Sequence, residues 1–86
     1  MAKVSLVQFT LMNLDARAQC VWEDGTYLLC MEGKRAGRSL YALGNFWVEL
    51  TYDHHENQLV DVFPFRRQVL LDEWLERIEL EKLLQQ

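Results

Sequence analysis

The sequence predicts an α+β domain: an N-terminal helix, a four-stranded antiparallel meander sheet and a C-terminal helix, with both helices on one face of the sheet. Three observations predict it. Apolar residues recur at steps of three and four near both ends of the chain, over 14–22 and 71–78. Between them lie four runs rich in β-branched, aromatic and aliphatic residues. Those runs are divided by short turn signals, of which Gly44-Asn45 and the stretch 53–57 are the clearest. At 86 residues the chain is expected to form one domain, 1–86, near the small end of what folds without disulfide or metal staples.

Residues 1–12 read as an extended arm, because Val4 and Leu6 alternate with Lys3 and Ser5 before the pattern fails at Val7-Gln8-Phe9. A helix follows over 13–24. Leu14, Ala18, Val21 and Trp22 share one face, Asn13 is a good N-cap, and Asp15 meets the positive end of the helix dipole. Gly25 is expected to close the helix in the left-handed conformation, and Trp22 to anchor it on the sheet. The sheet should then occupy 26–65, beginning with the apolar run TYLLCM. The glycines and charges of 32–37 supply a hairpin loop. Lys34, Arg35 and Arg38 form the one dense basic group before Arg66. With no helix N-terminus beside them to add amides, they read as a solvated loop.

Gly44-Asn45 marks a two-residue hairpin, which places Leu43 opposite Phe46, Ala42 opposite Trp47 and Tyr41 opposite Val48. One face then carries Tyr41, Leu43, Phe46, Val48 and Leu50, the expected core side. The other carries Arg38, Leu40, Ala42, Trp47, Glu49 and Thr51. In the 53–57 turn, Asp53 can accept from backbone amides and Asn57 can take the left-handed position. A five-residue loop would set Tyr52 opposite Gln58, turn Val60 and Val62 inward, and turn Asp61 and Phe63 outward. In that register Trp47 faces Phe63, and Glu49 faces Asp61, a like-charge pair that Arg38 could offset. Pro64 marks the end of the strand or a sheet edge. A second helix is expected over 68–84, with Leu71, Trp74, Leu75 and Ile78 as its stripe and no good N-cap.

The net charge of −4 argues against nucleic acid and against anionic membranes as partners. No apolar run is long enough to span a membrane, no signal peptide is legible, and Cys20 and Cys30 read as reduced, buried apolar residues of a cytoplasmic protein. An apolar content of 50% in so short a chain makes self-association an expectation from the outset.

No catalytic motif is present. Ser5 and Ser39 stand in no nucleophile motif, the glycines form no phosphate loop, and the paired acids of the last helix lie on its outer face, so the protein reads as non-enzymatic. His54 and His55, with Asp53 and Glu56, are metal-ligand types. They are consecutive, however, and do not have the spacing of ligands drawn from separate elements, so no metal or cofactor is assigned. The candidate interaction surface is the outer sheet face: Leu40, Ala42, Trp47, Glu49 and Phe63.

The runs RAQCVWEDGTYLL and SLYALGNFWVELTYD, followed by N-x-L-V and an acidic amphipathic helix, resemble a group of small uncharacterised bacterial proteins. Those share V-W-E-x-G-T, L-Y-x-L-x-x-F-[YW]-V-E-[VL] and a D-x-x-x-N turn. The resemblance covers residues 9–83 and implies the same helix–meander–helix layout, with no established activity. This chain departs from the pattern where Arg67-Gln68 replace the usual Ser/Thr cap. It departs again where Asp61 and Phe63 replace basic residues, which removes any positive face on the last strand.

The leading functional expectation is a small cytoplasmic protein–protein interaction or assembly module, a homodimer formed through the outer sheet face. The second is a binding module for a small apolar or aromatic ligand held between sheet and helices by Tyr52, Phe65 and Trp74. The third is a metal-dependent factor at the 53–57 turn.

Overall fold

The computed structural model describes residues 4–66 together with 71, 72, 75 and 76. Of the expectations above, Trp74 and most of the C-terminal helix over 68–84 lie outside the described residues. The rest is an α+β arrangement with a four-stranded antiparallel sheet whose order follows the chain.

Helix α1 spans Leu6–Thr10 and helix α2 spans Leu14–Asp24; strands β1 to β4 span Thr26–Glu32, Ala36–Leu43, Phe46–Asp53 and Gln58–Phe65. The expected extended arm over 1–12 is therefore corrected. Ser5 accepts from the Gln8 amide while the Gln8 side chain accepts from the Ser5 amide, a capping box that starts a short helix. The alternation of Val4 and Leu6 was too short to identify a strand, and the S-x-x-Q cap was the stronger signal. In α2 the cap is as read: the Asn13 side chain accepts from the Ala16 amide, with Asp15 in the first turn.

Two expectations about α2 do not hold. Gly25 has φ −81° and ψ 155°, extended and not left-handed, because the chain passes straight from helix into β1. Its glycine is required for space: a Cβ there would stand 2.6 Å from the Val21 carbonyl oxygen. Trp22 is 61% exposed, so it is not the anchor; Ala18 and Val21 are buried in that role, with Phe9 of α1 beside them. Residues 21 and 22 are about 100° apart on a helix, and the structure turns the smaller one inward.

The β2–β3 register is the predicted one, from Leu43↔Phe46 to Ala36↔Asp53, with Gly44 at φ 61° in the turn. The β3–β4 register is not. The loop is one residue shorter than expected, so Gln58 pairs with Asp53, and a bulge at Val60 adds a further offset before Asp61 meets Thr51. Trp47 therefore faces Phe65 in place of Phe63, and Glu49 faces Phe63 in place of Asp61. The two single offsets add to an even number, so Val62 still points into the core and Phe63 still points out. Val60, expected inside, is 45% exposed at the bulge.

The core lies between the helices and one sheet face. Phe9, Ala18 and Val21 pack with Leu43, Phe46, Val48, Leu50 and Val62, and the Phe9 and Phe46 rings meet edge to face at 5.4 Å. Arg17 closes one side of this layer. Its guanidinium donates to the carbonyls of Phe9 (3.2 Å), Thr10 (2.8 Å) and Val62 (2.9 Å), tying the end of α1 to β4. It also lies 5.7 Å from the Phe9 ring centroid.

Candidate functional site

Three places on the sheet gather chemistry. On the outer face, Trp47, Phe65 and Phe63 form a row of rings, with centroids 5.8 Å apart for the first pair and 6.2 Å for the second. The row arises because Trp47 faces Phe65 across the ladder, and Phe63 and Phe65 are two apart on one strand. Of the residues predicted for this surface, Leu40 is 1% exposed and, with Phe65, forms a second small core against which Leu29, Met31, Trp47 and Leu71 pack. Ala42, Trp47 and Glu49 are half-buried, and Phe63 is 46% exposed. The outer face is thus partly covered by the chain itself, through Leu71, at its Leu40–Phe65 centre. Glu49 is 3.8 Å from Arg38, the cation the sequence pointed to.

On the inner face, the helices leave part of the sheet open. There a cavity of about 540 Å³ lies between Trp22 and the sheet, with Tyr41, Leu50, Tyr52 and Leu59 along it. Its far end carries a carboxylate–imidazole pair, with His54 Nε2 and Glu32 Oε1 2.8 Å apart. Gly37 makes that pair possible, since a Cβ on it would stand 2.9 Å from Glu32 Oε1. The Glu32 side chain reaches His54 by crossing the bare backbone of the neighbouring strand. The Tyr52 ring sits 5.9 Å from that of His54, and its hydroxyl donates to Asn57 Oδ1 at 2.6 Å. Of the residues expected to hold a ligand, Tyr52 lines this groove, while Phe65 is on the opposite face in the second core. Trp22, expected to be consumed in packing, forms its helical wall. Sequence spacing could not reveal this, because the rotation of α2 about its axis decides which of Val21 and Trp22 is buried.

The third place is the end of the sheet where the β1–β2 and β3–β4 turns meet. The His54 amide donates to the Arg35 carbonyl at 2.8 Å, which ties one turn to the other. Between them is a cleft of about 610 Å³ lined by Lys34, Arg35, Asp53, His54 and His55, with Ala36 and Val60 at its sides. The Asp53 side chain accepts from the His55 amide at 3.0 Å, and Asn57 adopts φ 57°, both as the turn signal implies. Among the described residues, no group of three or more His, Cys, Asp or Glu gathers to hold a metal ion. His54 Nε2 is instead committed to Glu32 Oε1 at 2.8 Å.

Cys20 and Cys30 are both free thiols, but neither is fully buried as expected: Cys20 is half-buried on α2 and Cys30 is exposed on β1, an edge strand. Burial, followed by the nearby charges of Asp24 and Glu23, pushes the Cys20 thiol up. No helix among the described residues is long and apolar enough to cross a membrane. Compared with protein-family models, with curated proteins and with solved structures, the chain matches none.

Proposed function

We propose that this protein is a small, non-enzymatic, cytoplasmic interaction module that pairs with a second copy of itself through the outer face of its sheet. The observation that carries this reading is the aromatic row, which runs from a buried member, Phe65 at 6% exposure, to an open one, Phe63 at 46%. Aromatic side chains that begin in a core and continue into solvent give an interface a fixed, low-entropy anchor. Charge does not oppose a copy approaching there, because Glu49 is offset by Arg38 and Asp61 is the one further acid on that stretch of β4. The acidic chain disfavours nucleic acid and anionic membrane as the occupant. Multi-angle light scattering tests the reading. The wild type should give twice the monomer mass, and Phe63→Ser or Trp47→Ser should return it to one. A monomeric wild type over the working concentration range removes the homodimer.

A second reading rests on a different observation, the inner groove. Its volume falls within the ~300–1,000 Å³ of small-molecule sites, and its walls are mainly aromatic and aliphatic. A small aromatic or apolar ligand would lie between Trp22 and Tyr52. The test is a titration with anilinonaphthalene sulfonate, whose fluorescence enhancement should fall in Trp22→Ala and Tyr52→Ala and stay unchanged in Phe63→Ser. Equal dye binding in all three variants removes this ligand site.

A further inference from the structure

Two sequence features that no function above absorbs, the basic loop of Lys34 and Arg35 and the His54-His55 turn, lie about 20 residues apart in the chain and line one cleft. Among the described residues, the acids flanking that cleft each hold a hydrogen bond, which fixes their direction and leaves their charge in place. Glu32 pairs with His54 at 2.8 Å, Asp53 accepts from the His55 amide at 3.0 Å, and Glu56 accepts from the Gln58 side chain at 3.0 Å. Lys34 and Arg35, by contrast, have no ion-pair partner among the described residues, and neither does the His55 ring. In a chain with net charge −4, the lining of this recess holds two cations, Lys34 and Arg35, against one carboxylate, Asp53, so it is locally positive.

We propose that the cleft between the β1–β2 and β3–β4 turns is an anion site for a phosphate group, held by Lys34 and Arg35, with His55 as a further donor. A guanidinium presents a planar fork that matches two phosphate oxygens, and an ammonium adds a mobile point charge. The tie between the His54 amide and the Arg35 carbonyl fixes the spacing of the two turns, so the recess exists before the anion arrives. Glu32 is kept out of the cleft by its bond to His54 across Gly37. Asp53 remains on its wall and weakens the site by its charge.

The experiment is a titration of the whole chain with inorganic phosphate at constant ionic strength and pH, followed by amide chemical shifts. Saturable shifts should be confined to residues 33–36 and 53–55. Lys34→Gln and Arg35→Gln should each weaken binding severalfold, and together by about tenfold or more. Asp53→Asn keeps the turn's acceptor and removes the charge, so it should tighten binding. Arg66→Gln removes one cation at the opposite end of the sheet, where Arg66 meets Asn45, and should leave affinity unchanged. Non-saturable shifts, or equal weakening by Arg66→Gln and Arg35→Gln, overturn the site in favour of diffuse charge attraction. A lipid-borne phosphate is separated from a soluble one by sedimentation with phosphatidic acid vesicles against phosphatidylcholine vesicles. Co-sedimentation that depends on Lys34 and Arg35 assigns the phosphate to a lipid. Phosphate binding in solution without it assigns a soluble ligand.

Discussion

Arg17 is the residue on which most of the helical layer depends. It lies partly buried and satisfies three carbonyls drawn from α1, from the residue ending α1 and from β4. Removing it takes this donor from all three, although the Phe9 carbonyl keeps the Met12 amide at 3.1 Å, so Arg17→Ala should cost about 1.5–3 kcal/mol, the range for hydrogen bonds involving a charged group. Arg17→Lys should recover little of that, because an ammonium cannot reproduce the fork. Urea denaturation of the three proteins measures both. Trp22→Ala provides the contrast: with the indole 61% exposed, its loss should change stability by less than about 1 kcal/mol. The cysteines offer a third comparison at this scale. The Cys20 thiol is half-buried and pushed up by burial, then by Asp24 and Glu23, whereas Cys30 is exposed on β1. Iodoacetamide at mildly alkaline pH should label Cys30 severalfold faster, as peptide mass spectrometry would report. None of these three roles is legible in the sequence. Arg17 carries no signal that its partners are main-chain carbonyls, and Val21 and Trp22 are equally apolar neighbours.

At the scale of elements, much more could be read. The Asn13 cap, the Gly44-Asn45 hairpin and the left-handed Asn57 depend on local chemistry, and each stands where its residues imply. The division of β2 and β3 into inner and outer faces also follows from the alternation of their side chains. What local chemistry could not supply was the bulge at Val60, since a bulge is chosen by the fit of the whole strand against its neighbour. Gly25 was identified as a glycine position for the wrong reason. A dihedral requirement would make Gly25→Asn a mild change, whereas the observed close approach to the Val21 carbonyl, 2.6 Å from a built Cβ, forbids any side chain. Gly25→Ala and Gly25→Asn should therefore both destabilise, by about 1–3 kcal/mol as for other overpacked sites. Thermal unfolding followed by circular dichroism distinguishes the two accounts.

For the whole molecule, the main point is that apolar surface is distributed over both faces of the sheet. The helices bury the inner face over its Phe46–Val48 half and leave the Trp22–Tyr52 half open. On the outer face, Leu40 and Phe65 are enclosed while Phe63 is not. A sheet arranged this way has two candidate docking faces, and the charged cleft lies at the end where both terminate. The sequence located the outer residues correctly in face but not in register, so the pair Trp47–Phe63 became the triplet Trp47–Phe65–Phe63. The inner groove and the cleft were out of reach, because each joins residues from elements whose relative placement is a property of the fold. If pairing through the outer face is correct, apparent stability should rise with protein concentration in the wild type and not in Phe63→Ser, because association draws on the folded state alone. Unfolding midpoints at two concentrations at least tenfold apart test this.

The bulge at Val60 bears on how this hairpin tolerates changes of length. On one side of it Leu59 pairs with Tyr52, and on the other Asp61 pairs with Thr51, so the ladder is in step to both left and right. Val60 is a spare link. A deletion within a regular strand inverts the orientation of every side chain beyond it, but deleting Val60 would close the ladder with Val62 still inward and Phe63 still outward. The strand can lose this residue and keep its frame.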